Sequence, residues 1–171
     1  MVLAAVGLAA AQTPEPGAVE VSATAASIFN GGIHPAVGAG VGIATTRHVM
    51  GVAEFTYIPL GGGVLKPGDF DLLRLTPRTG GKAVDFHGGL HIAVPTGSDR
   101  ALPYLAVGVG LVRQSFTALG LGHTTTGVAG SFGVGLKWLI SERIGVRLEL
   151  KVYTPNRTFV RVGVSLFYRS R

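Results

Sequence analysis

The sequence contains no cysteine, and it has a single tryptophan among its 171 residues. The absence of cysteine excludes a disulfide scaffold and a thiolate metal site. No run of about 20 apolar residues follows the amino-terminal segment, so a transmembrane helix is not expected. Helical periodicity of apolar residues is nowhere sustained. The length corresponds to one domain of ordinary size.

The basic residues do not form a surface suited to nucleic acid. Fifteen Lys and Arg against nine Asp and Glu give a net charge of +6. Several of the cations alternate with apolar residues inside predicted strands, and others fall at predicted turns. No continuous basic helix and no run of interleaved aromatics is present, so nucleic acid is not predicted as a partner.

Strict alternation of apolar and polar residues is the strongest pattern that the sequence does contain. In the segment 144–153, four apolar residues alternate with Arg147, Glu149, Lys151 and Tyr153. The alternation resumes after a short turn in the segment 158–169. A period of two predicts strands with one apolar face and one ionic face. Repeated amphipathic strands of this kind are typical of a barrel.

Eight such strands are predicted, each of about ten residues, which is enough to cross a bilayer when the strand is tilted. We therefore predict an all-β fold, an eight-stranded antiparallel up-and-down transmembrane β-barrel. The predicted strands cover residues 18–29, 36–45, 49–60, 82–94, 101–114, 127–140, 144–153 and 158–169.

The connections between the predicted strands separate by length. The segments 61–81 and 115–126 are long, whereas 46–48, 95–100 and 141–143 are tight. Two further connections, at 30–35 and 154–157, are short and weaken the pattern. Outer-membrane barrels combine short periplasmic turns with longer outside loops. The bacterial outer membrane is thus the predicted location, and loops 61–81 and 115–126 are the predicted place for a surface ligand.

The amino terminus has the features of a targeting segment. Residues 2–11 are apolar and end in Ala9-Ala10-Ala11, a small-residue pattern typical of a secretory cleavage site. The basic residues that normally precede such a segment are missing. We predict a signal peptide at 1–11 and a barrel domain at 12–171; the alternative is a buried first strand or helix.

The two faces of the strands predict two sets of residues. A spanning barrel must be apolar outside, because its backbone satisfies its own hydrogen bonds and its outer surface meets lipid. The predicted lipid-facing or interfacial residues are Tyr57, Phe86, Phe132, Trp138, Leu148, Leu150 and Tyr168. The predicted lumen charge cluster is Glu20, Glu54, Asp85, Lys137, Arg147, Glu149, Lys151 and Arg161.

Eight strands enclose a lumen that side chains just fill, so the charge cluster is predicted to close it. Glu149 is expected between Lys137 and Arg161 on the neighbouring strands. The structural alternative is a soluble lipocalin-like barrel with its apolar face inward. Glycines share the polar face with the ions, and this composition suits a crowded lumen better than a solvated surface.

No motif in the sequence supports catalysis or a cofactor. His87 and His91 are four residues apart, and on a strand this separates them by about 13 Å, too far to share one metal. The glycine-rich segments lack the spacing of nucleotide-binding motifs. Ser115, His123 and a carboxylate could gather at one rim, although no motif surrounds Ser115. We predict no catalytic, cofactor-binding or metal-binding residues, with a lipid-modifying barrel enzyme as an alternative.

Three segments carry a family resemblance. They are Pro103–Gly110, Gly133–Trp138 and Ser141–Lys151, which resemble the second half of small bacterial outer-membrane β-barrel proteins of the OmpA/OmpX-like porin superfamily. The residues Arg169-Ser170-Arg171 depart from the terminal aromatic residue usual in that family. The resemblance implies an eight-stranded barrel without shared catalytic residues. The predicted role is structural or surface-interactive; a narrow pore for ions or small solutes, or a soluble carrier, are alternatives.

Overall fold

A computed structural model describes residues 14–29, 33–59, 79–96, 98, 100–118, 121–154 and 159–170. The side chains at 79, 80, 116–118 and 121–123 are outside this description. The predicted signal peptide, 1–11, also lies outside the described residues and stays a prediction. Within the described part of the chain, no helix is long and apolar enough to cross a membrane.

Eight antiparallel strands form one closed barrel. Each strand pairs with the next along the chain, and the last pairs with the first. The predicted fold class is confirmed. The strands are β1 Val19–Phe29, β2 Ile33–Ala44, β3 Val49–Pro59, β4 Thr79–Ala93, β5 Ala101–Ala118, β6 Leu121–Leu139, β7 Ile144–Thr154 and β8 Phe159–Arg169.

The strand registers determine how steeply the barrel is tilted. Backbone partners followed from Val19 across all eight strands return to β1 at Phe29, ten residues further along the chain. A stagger of this size requires strands tilted by about 35–45° to the barrel axis. The lumen of an eight-stranded barrel is then just wide enough for side chains to fill it.

The alternation of residue types decides which face of each strand is inside. Along β8, Arg161, Ser165 and Phe167 are buried, whereas Val164 and Leu166 are 49% and 58% exposed. Large apolar side chains on the other strands are exposed in the same way. This arrangement is the reverse of a soluble barrel, so the lipocalin-like alternative is wrong.

Three predicted connections are shorter than expected. The predicted loop 115–126 is wrong, because β5 and β6 stay paired up to Ala118 and Leu121. The predicted connection 30–35 ends early, since Ile33 already begins β2. Of the predicted loop 61–81, residues 79–81 belong to β4, and 61–78 lie outside the described residues.

Tight turns close the barrel at the end where β1 begins and β8 finishes, which we call the inner end. Side-chain hydroxyls accept backbone hydrogen bonds in these turns: Thr46 Oγ1 from Val49 N at 3.0 Å, and Ser141 Oγ from Ile144 N at 3.1 Å. Such local bonds replace the ladder partners that a turn loses. The opposite end is called the outer end.

Candidate functional site: an ion network in the lumen

Seven charged side chains meet inside the barrel. Alternation points each of them inward from β1, β3, β6, β7 or β8, and none has a side chain more than 10% exposed. We call this set the lumen ion network. Its members are Glu20, Glu54, Lys137, Arg147, Glu149, Lys151 and Arg161.

The inner part of the network joins β6 to β1. Lys137 Nζ donates to both carboxylate oxygens of Glu20, at 2.9 and 2.7 Å. Arg147 Nη1 lies 3.6 Å from Glu20 Oε1. The sequence separates Lys137 from Glu20 by 117 positions, so only closure of the barrel brings them together.

Glu54 on β3 is the centre of the network. Its carboxylate accepts hydrogen bonds from Lys151 Nζ at 2.7 Å, Arg161 Nη2 at 3.0 Å and Arg147 Nη2 at 3.3 Å. One buried carboxylate therefore compensates three buried cations. Such compensation is what makes burial of charge tolerable, since an unpaired ion loses its hydration without replacement.

Glu149 on β7 completes the network from the opposite wall. It accepts a hydrogen bond from Arg161 and lies 3.1 Å from Lys151 Nζ. The Tyr104 hydroxyl also donates to it, at 2.8 Å. Glu149 is predicted to lie between Lys137 and Arg161. The contact with Arg161 is observed, but the contact with Lys137 is wrong, because Lys137 reaches across the lumen to Glu20.

Uncharged side chains accept further hydrogen bonds from the two arginines, although the buried Arg147 Nε has no partner among the described residues. Arg161 Nη1 donates to Thr56 Oγ1 at 3.0 Å, and Arg147 Nη2 donates to Ser165 Oγ at 3.4 Å. With four cations and three carboxylates, the network carries a formal charge of +1. It links β1, β3, β6, β7 and β8 through the centre of the lumen, where no backbone hydrogen bond reaches.

Apolar clusters lie above and below the network. Ile28, Ala36, Ile58 and Ala83 form a buried cluster toward the outer end. A second buried cluster, of Ala18, Ala44 and Met50, lies toward the inner end. Apolar surroundings of this kind strengthen ionic interactions, because they lower the local dielectric constant.

Asp85 on β4, which the sequence places in the charge cluster, does not join the network through any ion pair among the described residues. Its Oδ1 lies 3.2 Å from His87 Nδ1. Within the described residues, His87 Nε2, His91 Nδ1 and Ser131 Oγ have no hydrogen-bond partner. These residues line a cavity of about 10 Å³, enough for about one water molecule.

Glycines on the lumen face provide room for specific large side chains. A Cβ added at Gly135 would overlap the Tyr104 ring, and one added at Gly145 would overlap the Phe167 ring. An added Cβ at Gly110 would collide with His87 in the same way. These positions need glycine for space, because none of them has a positive φ.

A metal site does not follow from the acidic groups in the network. Glu54, His91 and Glu149 have ligand atoms within 4.8 Å of one another. The same carboxylates already bind Lys151 and Arg161, so a metal ion would have to displace two buried cations. The arrangement is complete as an ion network.

The residues that the structure describes show no catalytic partner for Ser115. The Ser115 hydroxyl is 3.2 Å from Thr124 Oγ1 at an exposed position. The side chain of His123 lies outside the described residues. Ser115 is thus paired with a hydroxyl, which cannot serve as its general base.

The predicted lipid-facing residues all have 37% or more of their side-chain surface exposed. Trp138 and Tyr168 lie near the inner end, whereas Tyr57 lies near the outer end. Amphipathic rings at the two edges of an apolar band are the arrangement found at membrane interfaces. The other exposed members are Phe86, Phe132, Leu148 and Leu150.

The sequence matches the family described as "Outer membrane protein beta-barrel domain" over residues 1–158. The chain belongs to this family. It is an integral barrel protein of the bacterial outer membrane, in contact with the lipid bilayer. In outer-membrane barrels the short turns are periplasmic, so the inner end faces the periplasm and the outer end faces the exterior. A comparison with curated proteins gives no significant match.

Solved structures of small outer-membrane barrels have the same fold. The N-terminal barrel domain of Pseudomonas aeruginosa OprF superposes with a TM-score of 0.66 at 14% identity, covering 92% of this chain and 100% of that one. Neisserial surface protein A gives 0.66 at 12% identity, covering 88% and 95%. Ail of Yersinia pestis gives 0.60 at 10% identity, covering 92% and 100%.

Several lumen residues were absent from the predicted site. Tyr104 binds Glu149, His91 lies 3.5 Å from the same carboxylate, and the Tyr153 ring is fully buried beside Arg161. All three occupy inward positions of the alternation. That alternation is the signal that could have found them.

Proposed function

We propose that this protein is a closed, non-conducting barrel with a structural or surface-interaction role. The observation that supports this proposal is the lumen ion network, which crosses the lumen between two apolar clusters. A solute would have to break several buried ion pairs to pass. Catalysis is not part of the proposal.

Single-channel recording in planar bilayers tests the closed lumen. We expect no steady current from the native protein. Arg147→Ala should produce brief openings, because Arg147 connects Glu20 to Glu54 across the lumen. Leu148→Ala is the matched control, since its side chain is exposed on the opposite face. Large, steady currents from the native protein would contradict a closed barrel.

The hairpin of β5 and β6 supports a surface-interaction role. β7 ends opposite Gly130, so the first nine residues of β6 pair with β5 alone among the described residues. This part of the hairpin lies at the outer end and presents the exposed side chains of Thr124, Thr125 and Thr126. A strand with one unpaired edge can recognise an extended peptide. Among the similar structures, Ail is known in complex with the heparin analogue sucrose octasulfate.

Shortening the hairpin tests this role. Residues 115–124 would be replaced by a two-residue turn, and adhesion of cells carrying either form to immobilised extracellular-matrix protein would be compared. We expect reduced adhesion by the shortened form, with Gly88→Ala as a control at an open site. Equal adhesion by cells that display equal amounts of the two forms would show that the hairpin does not contribute to the interaction.

A narrow pore is the second candidate function. It is favoured by the cavity beside His87, His91 and Ser131, where the lumen is not completely filled and polar atoms lack partners. A pore along this side predicts small but steady conductance in the native protein. The recordings described above therefore separate the two candidates.

A further inference from the structure

Five polar side chains form a patch on the outward face at the outer end of β4, β5 and β6. Lys82 pairs with Ser115, which pairs with Thr124; one step nearer the membrane, Arg113 pairs with Thr126. The alternation points all five away from the lumen, and four of them are exposed and Ser115 half-buried. We call Lys82, Arg113, Ser115, Thr124 and Thr126 the rim patch.

The rim patch begins where the apolar band ends. On β4 the next outward residue toward the membrane is Val84, opposite Arg113, and the following outward row is apolar throughout: Phe86 is 59% exposed, Leu111 53% and Val128 60%. Because this apolar row faces the acyl chains, the polar side chains one and two outward steps beyond it are at headgroup level. The rim patch thus points sideways into the headgroup region of the outer leaflet, and not outward to the exterior solution.

The chemistry of the rim patch is that of an anion site. It presents an ammonium, a guanidinium and three hydroxyl groups. Among the described residues of β4, β5 and β6, the one carboxylate is Asp85, which points into the lumen and is 2% exposed. Lys82 and Arg113 are diagonal neighbours on adjacent strands, about 7–8 Å apart at the backbone, a separation that two long side chains can span around one phosphate group.

Within the described residues, the opposite side of the outer end has no comparable group of cations. There β1 ends in Phe29 and β2 begins with Ile33, which are 41% and 69% exposed. At the outer end, the cations that the structure describes at headgroup level are therefore concentrated on one side of the barrel. This asymmetry favours one bound headgroup over a uniform attraction to the leaflet.

We propose that the rim patch binds the phosphate group of a phosphorylated glycolipid in the outer leaflet. The acyl chains of that lipid would lie along the exposed apolar residues of β4, β5 and β6. Lys82 and Arg113 bind the phosphate oxygens, and the hydroxyls of Thr124 and Thr126 donate to the same headgroup. The binding holds β4, β5 and β6 against the leaflet at one fixed orientation.

Lipid retention measured by native mass spectrometry tests the proposal. The intact barrel would be reconstituted with diphosphorylated lipid A or with its dephosphorylated form, and retained lipid compared at low salt. We expect the native protein to prefer the phosphorylated lipid. In Lys82→Gln/Arg113→Gln the preference should fall by about 30-fold, the effect of two cations beside an anionic headgroup.

Arg100→Gln is the matched control, because it removes an exposed cation from the periplasmic turn and should leave the preference unchanged. Heat-modifiable migration on gels shows that each variant is folded. Equal preference in the native and doubly substituted proteins would overturn the proposal. Loss of lipid on addition of millimolar inorganic phosphate would also overturn it, since the patch would then be a site for soluble anions.

Discussion

Two pairs of strands differ in the size of the side chains that they direct into the lumen. β7 and β8 direct long or aromatic side chains inward, including Arg147, Lys151 and Phe167. The inward positions of β2 and β5 include Gly38, Gly40, Gly42, Gly108 and Gly110. A closed lumen of fixed radius can hold large side chains from some strands only if other inward positions carry little volume. Glycine in this barrel is therefore a packing residue.

Removal of the central carboxylate, that of Glu54, should have the largest effect on the stability of the barrel. Glu54→Leu leaves Lys151, Arg161 and Arg147 without their shared acceptor. We expect the free energy of unfolding to fall by about 3–5 kcal/mol, the usual cost of leaving buried charge uncompensated. Urea unfolding of the barrel in detergent micelles measures it.

Glu149→Leu should also lower the free energy of unfolding, but by less than Glu54→Leu, because Glu54 still compensates Lys151 and Arg161. It should lower the melting temperature in detergent. Outward Phe55→Leu is the control, since its ring is 44% exposed. A native-like unfolding curve for Glu54→Leu would show that the lumen charges are solvated.

A methyl group added at a lumen-facing glycine should have the next largest effect on the stability of the barrel. Gly135→Ala places a methyl group inside the volume of the Tyr104 ring. We expect destabilisation of about 1–3 kcal/mol, typical of overpacking. Gly88→Ala should be almost neutral, because nothing lies within 4 Å of the added Cβ.

A double-mutant cycle identifies the cause of that effect. In a Tyr104→Leu background, Gly135→Ala should cost much less, because the ring that it collides with is gone. If the two effects simply add, the loss of stability comes from the strand backbone and the idea of a space-providing glycine is wrong.

Two lumen tyrosines should respond differently to removal of their hydroxyl groups. Tyr104→Phe loses the hydrogen bond to Glu149 and should cost about 1–3 kcal/mol, because an ionised acceptor is left unsatisfied. Tyr153→Phe should be neutral or slightly stabilising, since its buried hydroxyl has no partner among the described residues. Urea unfolding compares the two; equal losses would indicate a partner for Tyr153.

The last prediction concerns a residue on the outside of the barrel, where the smallest effect is expected. Trp138 is 50% exposed and lies one residue before the end of β6, at the inner end of the barrel. Its fluorescence in vesicles should be quenched strongly by bromines placed shallowly along the acyl chains and weakly by deep ones. Absence of quenching at every depth, in folded protein, would contradict the lipid-facing position of this residue.

The sequence predicts strand positions best where alternation is strict. The predicted bounds of β7 and β8 are within one residue of the observed ones at each end. The error at 115–126 arose because Thr124, Thr125 and Thr126 interrupt the alternation. Threonine is β-branched and favours strands, so residue propensity held information that periodicity did not.

The contacts inside the lumen were less predictable than the faces. Alternation shows that Lys137 and Glu149 point inward. Which residue each of them pairs with depends also on the stagger of the whole barrel. Glu20 becomes the partner of Lys137 only because β1 closes against β8. A stagger of ten residues is a property of all eight registers together, and no single segment contains it.

The position of the charges along the chain has a consequence for the kinetics of assembly. Glu20 and Glu54 lie on β1 and β3, whereas the four cations that they bind lie on β6, β7 and β8. Hairpins of adjacent strands can form early, since their contacts are local, but these ion pairs span about a hundred residues or more and must wait for long-range closure. We therefore expect the network to add little to the folding rate and chiefly to slow unfolding, so that the closed barrel opens slowly.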